Sequence, residues 1–294
     1  MLDHAAIMEL RTRDDTSWSE RDAMLYALGV GMGADPMDER ELPFVYERGL
    51  KALPTFAIVP TFAGGPLFRI GLDTRYLLHG EQAVTLHRPM PASGTGTVEG
   101  RMVGAWDKGA GKGAVFAQEK ILRLDGDPEP LATVVTTAFG RAEGGFGGPT
   151  KGQPAPHPVP DRAPDLSMDL PTTPSQALLY RHSGDLNPLH ADPEAARAAG
   201  FPRPILHGLC TYAITARAVL AACCDFQPER MLHHQARFSA PVFPGETITV
   251  DLWIDGDAGG DGGGDTVSFQ ARVKARDAVV VRNGLSRLRG GSVR

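Results

Sequence analysis

Residues 144–176, GGFGGPTKGQPAPHPVPDRAPDLSMDLPTTPSQ, divide this chain. Glycine and proline dominate the stretch, and no hydrophobic period runs through it, so it reads as a linker. The PxxP spacing around Pro154–Pro160 matches a proline-motif ligand, but a crossing connection explains the same composition. The chain then falls into an N-terminal half, 1–143, and a C-terminal half, 177–294, each of which needs a core. With 294 residues, 42% of them hydrophobic, there is material for both.

The two halves share an outline. In the first, SERDAMLYAL (19–28) predicts a helix capped by Ser19, and Leu53–Phe62 predicts a short buried helix or turn. Residues 74–89 read as strand, loop at His79-Gly80-Glu81, then strand. Three further strand-like runs follow at 96–103, 113–124 and 131–139, separated by glycine and aspartate turns. In the second half Leu209, Tyr212, Ala213, Ala216, Leu220 and Cys223 fall on one face of a long helix, followed by strands at 231–241, 246–255, 266–275 and 279–288. Arg203-Pro204 before that helix echoes Leu53-Pro54, and Arg237-Phe238 with Gly245–Val250 echoes Arg75-Tyr76 with Gly80–Thr85, which suggests duplication. The loop 255–265 lacks the alternating ligands and closing Glu of a calcium loop and reads as a hairpin turn.

Chemistry concentrates in YRHSGDLNPLHADPEAARAAGFPRPILHGLCT, residues 180–211. Asn187-Pro188 forces a turn between Asp185 and His190, which aims a carboxylate and an imidazole into one space. Asp192-Pro193 opens a short helix that Gly200 stops. Gly208 then opens the long helix, where a backbone N–H at the positive dipole end can hold a developing oxyanion. His207 reads as a brace for that loop. Tyr26 and Glu47 read as structural.

The segment SGDLNPLHADPEAARAAGFPRPILHGL resembles the signature of the MaoC-like (R)-specific enoyl-CoA hydratases, hydratase 2. Tyr26–Gly31, Leu53–Phe56, Leu78–Gln82, Gly144–Gly148 and Ala236–Phe238 resemble, in order, the hydratase 2 domain of peroxisomal multifunctional enzymes type 2. The resemblance covers about residues 18–290. It implies an α+β double hotdog: two antiparallel sheets, each wrapping a helix, joined side by side. The first hotdog would be degenerate and accommodate the acyl tail, while the second would be catalytic. The implied reaction is reversible syn addition of water to trans-2-enoyl-CoA, giving (3R)-3-hydroxyacyl-CoA. Asp185 and His190 would act as acid and base in an order the sequence leaves open. Asn187 would order the water, and Gly208 N–H would be the oxyanion donor. His79, Gly80, Lys108 and Phe238 would contact the acyl-CoA substrate. The alternatives are a dehydratase of a branched or dicarboxylic acyl-CoA and a non-catalytic hotdog that binds acyl-CoA.

The formal charge of −5 contains no basic block, so no nucleic-acid partner is expected. No apolar run is long enough for a membrane span. No Cys/His spacing suggests a metal, and no glycine-rich strand-to-helix turn suggests a bound nucleotide, so no cofactor is expected beyond the coenzyme A of the substrate. Acids replace the basic region of a signal peptide, three cysteines cannot all pair, and the terminal Ser-Val-Arg departs from a peroxisomal address. The expected setting is cytoplasmic, and a homodimer is the assembly the family allows.

Overall fold

A computed structural model describes residues 3–72, 77–255 and 264–290. Its ten strands are β1 Arg11–Trp18, β2 Leu77–Leu86, β3 Gly94–Asp107, β4 Ala114–Leu124, β5 Pro130–Gly140, β6 Leu166–Pro171, β7 Met231–Phe238, β8 Thr247–Asp255, β9 Thr266–Val273 and β10 Ala278–Leu288. The helices are α1 His4–Glu9, α2 Glu20–Gly29, α3 Leu42–Val45, α4 Gln176–Tyr180, α5 Pro193–Ala198 and α6 Gly208–Cys223.

The strands form one antiparallel sheet in the order β1-β3-β4-β5-β2-β7-β10-β9-β8-β6. The first five and the last five repeat one topology, because β6, β8, β9, β10 and β7 stand where β1, β3, β4, β5 and β2 stand in the other half. This is the double hotdog, fused by pairing of β2 with β7 from Glu81↔Arg237 to Thr85↔His233. The duplication therefore holds, but its register is corrected. β7 is the counterpart of β2, whereas Gly245–Val250 leads into β8, the counterpart of β3. Arg75-Tyr76 lies outside the described residues.

α6 is the apolar axis of the second half. Leu209–Ala216, Ala218–Leu220 and Cys223 are all buried, so the helix is packed on nearly every side. Its one cation, Arg217, pairs with the buried Glu41 at 2.7 Å, and the Glu41 carboxylate also accepts from Gly33 N–H. The corresponding place in the first half, after Leu53-Pro54, holds only a 3-10 turn, Pro54–Ile58, fully buried. Here α2 supplies the longer helix, closed at its start by a reciprocal Ser19–Asp22 capping box.

Two local expectations are corrected, and one strand lies where none was expected. Residues 77–86 form one strand, not two, with a register shift between His79 and Glu81 that absorbs Gly80. The linker contains β6, and β1 precedes α2 in a segment with no clear alternation. Both are edge strands; the charged and polar side chains of β1 blunt its open edge and hide it from a hydrophobic pattern, whereas β6 alternates Leu166, Met168 and Leu170 with Ser167 and Asp169 inside the proline-rich stretch.

Candidate active site

The chain reaches the site through a series of tight turns. After α4, the 3-10 turn Arg181–Ser183 ends at Gly184, whose φ of 118° is open to glycine alone without strain. That reversal delivers Asp185, and Arg181 braces it by donating to the Leu186 carbonyl at 3.0 Å. The Asp185 carboxylate accepts from Asn187 N–H at 3.1 Å, and the Asn187 side-chain oxygen accepts from Leu189 N–H at 3.0 Å. Asn187 thus caps the 3-10 turn Pro188–His190, with its side chain exposed. Asp192 caps α5 in the same manner, through Glu194 N–H.

His190 is 8% exposed, and its Nδ1 lies 2.9 Å from the Ile205 carbonyl. A carbonyl can only accept, so the proton is assigned to Nδ1 and Nε2 keeps a lone pair. Burial lowers the His190 pKa, opposed by the Ile205 carbonyl and the Asp185 charge. The imidazole is neutral and basic at pH 7.

His207 is fully buried and stacks on His190, with ring centroids 3.7 Å apart and planes at 27°. Its Nε2–H donates to the Asp185 main-chain carbonyl at 3.1 Å, leaving Nδ1 buried without a partner. Burial, reinforced by the neighbouring His190, pushes its pKa down to about 4. One ligand-type atom each of Asp185, His190 and His207 lies within 4.8 Å of the others. By residue type this is a metal-ligating trio that cysteine and histidine spacing did not announce. Nearly parallel rings, however, direct their in-plane lone pairs side by side, whereas a shared ion needs them to converge.

Gly208 is the first residue of α6, so its N–H has no acceptor within the helix. Phe238, at the end of β7, covers this helix start: a Cβ on Gly208 would lie 3.4 Å from the Phe238 ring. His79 of β2 meets Phe238 edge-on at 4.9 Å between centroids. Its Nε2 lies 3.1 Å from the Gln82 side-chain oxygen, and burial takes its pKa to about 4. One location therefore gathers Asp185, His190, Gly208, His79 and Phe238 from both halves.

The remaining expected residues sit differently. Gly80 lies at the β2 irregularity beside His79. The Lys108 ammonium donates to the Thr150 carbonyl at 3.4 Å, with no contact to the Asp185 group. The glycines around it are drawn together by Asp107, whose carboxylate accepts from the N–H groups of Gly109, Gly145 and Gly147. Glu47 is exposed, and Tyr26 is buried beside Phe56 and Tyr180. Asn187 holds the turn rather than extending into the trio. Sequence reasoning missed the direct part of His207, whose stacking and main-chain contact arise from residues 17 and 22 positions away.

Fold and site together define a MaoC-like protein. The MFE-2 hydratase 2 N-terminal domain model matches residues 17–142, and the MaoC like domain model matches residues 156–281. The chain belongs to the MaoC-like hydratase 2 family. It is 43% identical to "Enoyl-CoA hydratase ChsH3" of Mycobacterium tuberculosis, over 82% of this chain and 85% of that protein. It is 38% identical to "Enoyl-CoA hydratase 2, peroxisomal" of Arabidopsis thaliana, over 90% and 88%. Among solved structures, the MaoC-like dehydratase from Phytophthora capsici superposes with a TM-score of 0.84 at 31% identity, covering 99% of each chain.

Proposed function

We propose that this chain is an (R)-specific 2-enoyl-CoA hydratase, a hydro-lyase that reversibly adds water syn across trans-2-enoyl-CoA to give (3R)-3-hydroxyacyl-CoA. The observation that carries the reading is the convergence of Asp185 and His190 beside the opening N–H of α6. Hydration needs a base for water, an acid for C2 and a donor for the thioester oxygen. His190 Nε2 takes a proton from water as the oxygen bonds to C3. Gly208 N–H holds the enolate-like oxygen. One proton returns to C2 from the Asp185–His190 pair, leaving both groups as they began. No cofactor enters this balance; coenzyme A belongs to the substrate.

In this reading residues 177–294 carry the chemistry, and residues 1–143 accommodate the acyl tail. His79, Gly80 and Phe238 line the thioester end, with Lys108 serving the coenzyme phosphates. No helix among the described residues is long and apolar enough to cross a membrane. Cys210, Cys223 and Cys224 are buried and unpaired, which supports a reducing, cytoplasmic setting. A homodimer completes the proposal and is checked by light scattering.

The test is loss of enoyl-thioester absorbance with crotonyl-CoA and, separately, trans-2-decenoyl-CoA, followed by chiral analysis of the product. Rapid loss to the 3R alcohol supports the hydratase, and the ratio of the two rates reads tail accommodation. Tight acyl-CoA binding without turnover would overturn it.

A further inference from the structure

We infer that His207 is a positioning residue that couples the oxyanion donor to the acid–base pair. This rests on the hydratase reading above. His207 occupies two places at once. Its backbone is the cap of α6, with φ −57° and ψ 135°, and its carbonyl accepts the Thr211 N–H at 3.1 Å. That geometry sets the direction of the next N–H, which belongs to Gly208. Its side chain reaches 22 residues back to hold the Asp185 carbonyl, and its ring face lies against His190. Three groups that must act on one thioester are thereby referenced to a single residue: the oxyanion donor through the main chain, Asp185 through Nε2–H, and His190 through the stack.

The surroundings fix the ring. Tyr180 packs against it at 5.1 Å between centroids with the planes tilted by 52°, and His190 stacks on its face. Phenylalanine would fill the same space. Histidine combines a flat face for stacking with a donor at the ring's far edge, a combination phenylalanine lacks.

The test compares H207F, which keeps a stacking ring and removes the donor, with H207Q, whose amide restores a donor. With crotonyl-CoA, H207F should lose kcat on the order of 10²-fold, the scale of misplaced catalytic groups. Its KM should stay within about threefold, because the substrate contacts remain. Its Tm should stay within about 3 °C of wild type. H207Q should recover kcat to within about tenfold of wild type. Wild-type kcat in H207F overturns the inference, and so do parallel losses of kcat and Tm in both variants, which would mark a purely structural residue. D185N is measured alongside. An active wild type with inactive D185N and fully active H207F removes only this inference, whereas an inactive wild type removes the hydratase reading and this inference with it.

Discussion

In the proposed reaction Asp185 and His190 bear most of the chemistry, and their replacement gives the sharpest outcomes. Asp185→Asn and His190→Gln should each lower kcat by at least ~10²-fold, measured by absorbance loss on crotonyl-CoA. The pH profile follows from the direction of the His190 shift. Burial lowers its pKa, so the neutral base persists below the ordinary histidine range. The acid limb of kcat/KM should therefore have its midpoint below about 6.5, with activity falling as pH drops and His190 protonates. These residues were legible in the sequence because Asp185, Asn187-Pro188 and His190 lie within one turn, where spacing dictates geometry. His207 was legible only as a neighbour of Gly208. Its contacts with Asp185 and His190 depend on how α5 and the extended segment after it return the chain to its starting point.

At the scale of elements, α6 offers a test that separates its two functions. Position 208 opens the helix, where proline is well tolerated, and His207 already has the extended conformation that precedes proline. Gly208→Pro deletes the N–H that the proposed reaction assigns to the oxyanion while leaving the helix a favourable start, and should lower kcat by about 10²–10³-fold with folded structure retained by circular dichroism. Gly208→Ala keeps the N–H and places its methyl at ordinary contact distance from Phe238, so it should keep kcat within about tenfold. The long helix was plain from its apolar spacing. The strands β1 and β6 were not: RTRDDTSW carries its sheet position in backbone pairing with β3 rather than in side-chain pattern, and the alternation of LSMDL in β6 is short and embedded in a proline-rich stretch. The split of β2 failed for a related reason: His79-Gly80-Glu81 reads as a turn, but pairing with β5 continues across it.

Across the whole molecule, buried neutral histidines tie stability to pH. Burial holds His234 at about 3 and His79 and His207 at about 4, while an unfolded chain titrates them near 6.5. Between those values the unfolded chain binds more protons, so stability is full above about pH 6.5 and is lost as pH falls toward 4. Thermal melts across this window should show Tm falling with acidification, and a flat Tm would contradict the buried neutral assignment. His234→Gln should shrink part of that slope, because Nε2 and Nδ1 of His234 link Thr215 of α6 to Ser286 of β10 in the interior. The double architecture could be inferred from repetition in the sequence. Its register could not, because only hydrogen bonding shows that β2 meets β7. Across that seam His79 from one half touches Phe238 from the other, so the site is composite. Two separate chains could form such a site only as far as mass action kept them paired. Here both contributors travel on one polypeptide, and the encounter between His79 and Phe238 is first order. That contact is then independent of how dilute the protein becomes.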